Sequence, residues 1–356
     1  MKLEKYIKVF DYLRKPINTM DRQNLNKIYP YYGAQGIVDY IDNYIFDGDF
    51  ILLAEDGNNL STLNENIATW ATGKFWVNNH AHVIQTNEFM DQRYLYYWLN
   101  FTNLSGYITG SAQPKLNKEN VLSIEINPPA IDHQQHIVNT IGSVDDLIEN
   151  YQSQIYNICA LLECALDVYK NKCFISEYNP IIIKSGIIKF DKEKTYLDTS
   201  CIEGINNISS GELITVEKRP SRANMQPKSN SVWFAKMKDS NKIIVITEYD
   251  DDLLNNHILS TGFLGIKSSD SLPLSLLTAI IISSDFKIQR DLNSIGTTMA
   301  GVNNETFLKI QVPQLDKKEV IVFDKKYHSL VIQLSYLRRK INFLKKAKEK
   351  LLKKYF

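Results

Sequence analysis

The chain has 356 residues, 44% hydrophobic and 23% charged, with a formal net charge of +1. At roughly 100–200 residues per domain, that predicts two or three globular domains, and whole-chain charge neither demands nor excludes a polyanionic partner. Only fifteen glycines and ten prolines are present, which argues against long low-complexity segments. No apolar run is long enough to span a bilayer, and residues 1–15 stay charged, so neither a membrane segment nor a signal peptide is expected. Cys159, Cys164, Cys173 and Cys201 include no CxxC pair, which fits reduced thiols in a cytoplasmic protein.

In chain order, residues 36–41 and 49–54 read as strands joined by a turn around Asp47-Gly48. Residues 82–85 read as a further strand. Residues 89–101 read as a helix with Phe89, Leu95, Trp98 and Leu99 on its inner face. Leu122-Ser-Ile-Glu-Ile126 alternates like a strand and runs to Pro128-Pro129, where a helix start with Asp132 as its cap is expected. Beyond residue 174 the order recurs: strands at 232–235, 243–246 and 262–266, a helix at 274–282, then Leu308-Lys-Ile-Gln-Val312.

The recurrence is an internal repeat. Gly110, Asn117, Glu119, Leu122 and Ile124 recur as Gly296, Asn303, Glu305, Leu308 and Ile310, each 186 residues later. A heptad stripe follows each copy. The first runs through Ile137, Ile141, Val144, Ile148, Tyr151, Ile155, Ile158 and Leu162. The second runs through Phe323, Tyr327, Leu330, Leu334, Leu337, Ile341 and Leu344, and is broken at Lys348. Such spacing predicts a coiled-coil seam. Residues 133–172 carry five acids and two bases, whereas residues 317–356 carry thirteen bases and three acids. Opposite charge favours pairing the two helices with each other. The expected organisation is 1–130 globule, 131–173 helix, 174–314 globule and 315–356 helix, an α+β chain whose globules are separated by an antiparallel two-helix coiled coil.

Catalytic and metal motifs are not expected. Asn127-Pro-Pro-Ala130 resembles the (N/D)PP(Y/F) loop that grips a flipped adenine, but Ala130 replaces the stacking aromatic and no Gly-rich cofactor loop precedes it. Asp47, Asp49, Glu55 and Asp56 read as turn chemistry rather than a nuclease or metal site. The six histidines suggest no ligand set, and no phosphate-binding loop or nucleophile elbow occurs.

The stretch from Tyr29-Pro-Tyr-Tyr-Gly-Ala-Gln-Gly36 to Phe50-Ile-Leu-Leu-Ala-Glu-Asp-Gly57 resembles the target-recognition domain of type I restriction–modification specificity subunits. Arg219-Pro-Ser-Arg-Ala223, Val232-Trp-Phe-Ala-Lys-Met237 and Ser260-Thr-Gly-Phe263 resemble a second, divergent copy. The resemblance implies a non-catalytic subunit whose two domains each read half of a split site in double-stranded DNA. It also implies partners: two methyltransferase subunits docked on the helices, and restriction–translocase subunits, with S-adenosylmethionine and ATP bound on those partners. Basic patches supply the candidate contacts. Residues 218–242 hold seven bases against Asp239, among them Arg219, Arg222, Lys228, Lys236 and Lys238. Residues 8–27 include Lys15 and Arg22. Tyr31, Tyr32 and Gln35 are expected in a Gly-flanked loop that touches bases or backbone. Two rival readings are a coiled-coil interaction scaffold that binds no DNA, and a methyltransferase fragment that binds S-adenosylmethionine by itself.

The heptads generate a spacing prediction. A helix of about 40 residues is roughly 60 Å long. One added heptad in each helix should lengthen the pair by about 10 Å, or roughly 3 base pairs. Methylome sequencing should then show both half-sites kept and the gap between them widened. An unchanged gap would mean that the helices do not set the distance.

Overall fold

The computed structural model describes residues 1–60, 66–110, 113–296 and 300–356. Parts of the repeat motif, residues 111–112 and 297–299, lie outside the described residues. The chain forms two compact units: residues 1–146 with 347–356, and residues 147–346.

Unit one contains β1 (Ile7–Val9), α1 (Thr19–Gln23), β2 (Tyr29–Gly33), β3 (Gly36–Ile41), β4 (Phe46–Asp47), β5 (Phe50–Ala54), β6 (Ala68–Ala71), β7 (Lys74–Val77), β8 (Ala81–Thr86), α2 (Gln92–Phe101), α3 (Lys118–Ser123) and the opening of α4 (Ile131–Leu166). One sheet has the order β1-β8-β5-β6 and is antiparallel throughout. The other has the order β3-β2-β7-β4, with β2 and β7 parallel. Strand β5 is buried on both faces. Ile51 and Leu53 join the cluster around α2, while Phe50 and Leu52 join an aromatic cluster with Phe46, Phe75 and Tyr32. Burial on both faces explains why its sequence is continuously apolar rather than alternating.

Unit two contains β9 (Lys172–Phe174), β10 (Ile181–Ile182), β11 (Lys194–Leu197), β12 (Ile202–Glu203), β13 (Asn207–Ile208), β14 (Glu212–Ile214), β15 (Ala223–Met225), β16 (Ser231–Ala235), β17 (Ile243–Ile246), α5 (Asp251–Asn256), β18 (His257–Ser260), β19 (Phe263–Lys267), α6 (Leu274–Ile282), α7 (Ser284–Leu292), α8 (Asn304–Phe307), β20 (Gln311–Pro313) and most of α9 (Lys317–Tyr355). Its main sheets have the orders β10-β19-β16-β17 and β14-β11-β18-β15, with β11 and β18 parallel. Strand for strand, this is the arrangement of unit one. The β12–β13 hairpin is an insertion between the counterparts of β2 and β3. The mixed α/β class and the internal repeat are therefore features of the fold.

Four local expectations are corrected. β3 and β5 are not a hairpin: β3 pairs with β2, and β5 pairs with β6 and β8. Phe89 precedes α2, whose N-cap is Asp91, and is 64% exposed. Asn117 and Asn303 do not lead into strands. Each side chain accepts a backbone N–H three residues on and opens a short helix, α3 or α8. Similarly, Asp132 lies inside the first turn of α4, while the Ala130 carbonyl accepts the N–H groups of His133 and Gln134.

Both long helices contribute to both units. Of the expected seam, Ile137, Ile141, Ile148, Ile155, Leu162, Phe323, Leu334, Leu337 and Ile341 are buried, and Val144, Leu330 and Leu344 are half-buried. Within unit two the helical segments run antiparallel. Ile341 shares a cavity wall with Ile155 and Cys159, and the Phe323 ring lies 6.5 Å from that of Tyr169. Within unit one, Lys348 is the polar break in the stripe. Its ammonium lies 2.7 Å from Asp145 and 5.4 Å from the Tyr97 ring centre, and the Tyr97 hydroxyl donates to the same carboxylate at 2.8 Å.

Unit two holds α9 through a buried ion pair. Arg338 lies 2.7 Å from Asp250, and donates to the Val245 carbonyl and to Asn206 Oδ1 at 2.6 and 2.8 Å. Ser335 and the Thr247 backbone and hydroxyl donate to Asp250 at 2.6, 2.8 and 2.9 Å. Burial pushes the Asp250 carboxyl up. The Arg338 charge, with hydrogen bonds from Arg338, Ser335 and Thr247, outweighs that and holds it below the usual carboxylate range. Its stabilising effect is therefore full above that range and lost as pH falls through the lowered value. Asp250→Ala strands the Arg338 charge and should destabilise unit two by about 3–5 kcal/mol. Urea denaturation at neutral pH followed by tryptophan fluorescence checks this, with Trp233 as the buried reporter in β16. A change under about 1 kcal/mol would remove the pair from the structural account.

Candidate nucleic-acid interface

Corresponding edges of the two units lie where the chain leaves β5 or β16, beside the residues that open β8 or β19. In unit one the Glu55 N–H donates to the His80 carbonyl, and the Glu55 carbonyl accepts from Leu116. In unit two, Lys236 N–H donates to the Gly262 carbonyl, and the Lys236 carbonyl accepts from Val302. Glu55 and Lys236 thus occupy equivalent places with opposite charge. His82, opposite Leu53, corresponds to Leu264, opposite Phe234.

Unit one fills this place with a charge network. His82 is 1% exposed, and its ring nitrogens face Asp11 Oδ2 at 2.6 Å and the Leu116 carbonyl at 2.8 Å. Arg14 lies 2.8 Å from Glu55 and 3.3 Å from Asp11, and Lys115 lies 3.2 Å from Glu55. Burial raises both carboxyls, but His82 for Asp11, and Arg14, His82 and Lys115 for Glu55, bring both below their usual range. Ligand atoms of Asp11, Glu55 and His82, one histidine with two carboxylates, lie within 4.8 Å of one another. The guanidinium and ammonium already beside these carboxylates supply the countercharge a metal would bring, so the residues fit an ion-pair network and not a cation site.

The two tyrosines also need correction. Tyr31 and Tyr32 lie on β2, not in a loop, and are 2% and 8% exposed. The Tyr32 ring packs edge-on against Phe75 in the aromatic core. The Tyr31 hydroxyl accepts the Ile17 N–H at 3.0 Å, and its ring carries the Arg22 guanidinium 4.7 Å from the centre. Arg22 also lies 3.3 Å from Asp39, so it braces the surface segment against β3. Lys15 is exposed, and its carbonyl accepts from Trp76 Nε1. Gln35 is exposed at the tip of the β2–β3 hairpin, a two-residue turn closed by Gly36 at φ +98°.

In unit two, Arg222, Lys228 and Lys238 are exposed, whereas Arg219 and Lys236 are half-buried. Arg219 donates to the Ala223 carbonyl at 2.7 Å, and Lys236 Nζ to the Thr261 carbonyl at 2.9 Å. Burial lowers the Lys236 ammonium from its ordinary value. The local charge of this patch therefore overstates what it offers to an anion. Sequence reasoning passed over Asn78 and His80 in the β7–β8 turn. Their signal was present, since an Asn-Asn-His run between two apolar strands is turn chemistry at a strand end.

Residues 8–158 match the family model described as the type I restriction modification DNA specificity domain. A protein named as a type I restriction enzyme specificity subunit in Haemophilus influenzae is 35% identical over 145 residues, 41% of this chain and 37% of that protein. The type I restriction enzyme EcoprrI specificity subunit of Escherichia coli is 26% identical over 145 residues, 40% of this chain and 35% of its own length. The matched stretch thus spans little more than a third of either relative. The crystal structure of a type I restriction–modification system S subunit from M. genitalium covers 100% of this chain and 95% of its own, with a TM-score of 0.55 and 13% identity. That is a likeness of fold along the whole length. Residues 8–158 are thus similar in sequence to the type I restriction–modification DNA specificity domain, and the whole chain is similar in fold to one such S subunit.

Proposed function

We propose that the chain is the DNA sequence-specificity subunit of a type I restriction–modification complex, in which each unit reads one half of a bipartite site. The observation that carries this reading is the double occurrence of one eight-strand arrangement, each copy leading into a long helix. Duplicated scaffolds with different surface residues suit two different half-sequences. The chain itself is non-catalytic in this proposal. Methyltransferase subunits bring S-adenosylmethionine, and restriction–translocase subunits bring ATP. Docking of the former is supported by exposed apolar residues of unit two: Leu147, Tyr156 and Leu161 on α4, and Ile321, Tyr336 and Phe343 on α9 are 45–74% exposed. No helix among the described residues is long and apolar enough to cross a membrane.

Two outcomes are expected. Replacing residues 1–130 with another recognition domain should change one half of the methylated sequence and leave the other. A change in both halves would sink independent reading. Arg222→Gln should reduce the salt slope of DNA binding by about 0.9, the value of one phosphate contact. Arg219→Gln should leave the slope nearly unchanged, because that guanidinium is engaged by the backbone of its own loop. The added heptads belong outside the Asp250 site. An insertion between Leu334 and Ile341 would part Ser335 from Arg338 or displace either from Asp250. Insertions after Asp146 and after Lys346 avoid this.

A further inference from the structure

We infer that the open cleft of unit one beneath the β2–β3 hairpin tip is a base-reading pocket for an A·T pair, read through the side-chain amides of Gln35 and Asn78. This rests on the DNA-specificity reading of the chain and adds the residues that carry the selectivity of unit one.

The cleft has a volume of about 330 Å³, and its wall includes Gly33, Gln35, Val38, Asn78 and His80. No lysine or arginine lines it among the described residues, so it is not built for phosphate. Its polar groups are neutral amides and an imidazole. Asn78 Oδ1 accepts the His80 N–H at 2.8 Å, which fixes the side chain by its oxygen. His80 Nδ1 faces Asp56 at 2.7 Å, fixing that ring as well. Gly33 gives Asn78 room: a Cβ there would lie 3.2 Å from Asn78 Nδ2 and 3.0 Å from Val38 Cγ1. The hairpin tip is held from within, because buried Asn59 donates to the Ala34 carbonyl at 3.2 Å. Gln35 is thereby presented on a fixed turn. An amide offers one donor and one acceptor, the complement of the N6 and N7 edge of adenine in the major groove. Lys115, bridged through its backbone to Asp56, has its ammonium paired with Glu55 at 3.2 Å, so it leaves the cleft to its neutral groups.

The test is selection from a random duplex library by the chain assembled with a type I methyltransferase subunit, followed by sequencing of bound duplexes. The wild type is expected to select a bipartite motif. Gln35→Ala should lower the preference for A·T at one position of one half-motif by roughly 5- to 150-fold, leaving the other half intact. Asn78→Asp keeps the acceptor for His80 and removes the donor, and should relax the same or the adjacent position. Gln35 is exposed, so its removal does not threaten folding, and the retained half-motif reports an intact assembly. Unchanged preferences in both variants would overturn the pocket assignment, and so would relaxation at a G·C position. Loss of assembly without a change of preference would make the cleft a protein contact and also overturn it. A wild-type complex that selects no motif would overturn the specificity reading itself.

Discussion

The ion pair between Asp250 and Arg338 fixes how the second long helix meets its unit. A heptad stripe alone does not define one register, because sliding by seven residues returns apolar side chains to apolar positions. Arg338 is 1% exposed and Asp250 2%, so any slip leaves two buried charges unpaired. Val245, Asn206, Ser335 and Thr247 add hydrogen bonds to the pair, which makes the position specific. Unit one uses a lighter version of the device. There Lys348 and Tyr97 converge on Asp145, in a less buried setting where each contact is weaker.

With the helices so fixed, the two units can diverge at their edges without losing the scaffold. The equivalent places after β5 and β16 hold Glu55 and Lys236, and those on β8 and β19 hold His82 and Leu264. Unit one closes this place with Asp11, Glu55, Arg14 and Lys115, which compensate one another around the buried His82 ring. Unit two closes it with apolar packing and a lysine bound to a carbonyl. Each solution satisfies its own buried groups, so neither edge constrains the other. The cleft of unit one is lined by amides and an imidazole, whereas unit two exposes Arg222, Lys228 and Lys238.

Much of this was legible in the sequence where the signal is local. The α6 helix falls at the expected residues, and the heptads locate both long helices. Strand pairing was not legible, because β3 and β5 are neighbours in sequence yet belong to different sheets, a choice made by residues far along the chain. Nor could composition separate a surface charge from an engaged one. Arg219 and Arg222 are three residues apart in one basic run, but one is held by the Ala223 carbonyl and the other is exposed. The tyrosines mislead for the same reason. Tyr31 and Tyr32 stand among glycines, as loop residues do, yet β2 lies next to β7 and its side chains enter the aromatic core and the Arg22 platform.

The break at Lys348 shows where a departure from pattern carries information. Read alone, a lysine in an apolar stripe is a defect. In the structure it is the counterpart of Asp145, and Tyr97 of α2 closes the contact. Asp145 also helps to raise the Tyr97 hydroxyl above its ordinary value, after burial, so this phenol stays a hydrogen-bond donor across the physiological range. A leucine at 348 would restore the stripe but leave Asp145 with the phenol alone. The heptad pattern therefore locates the helices, and its single exception ties the end of α9 to the globule of unit one.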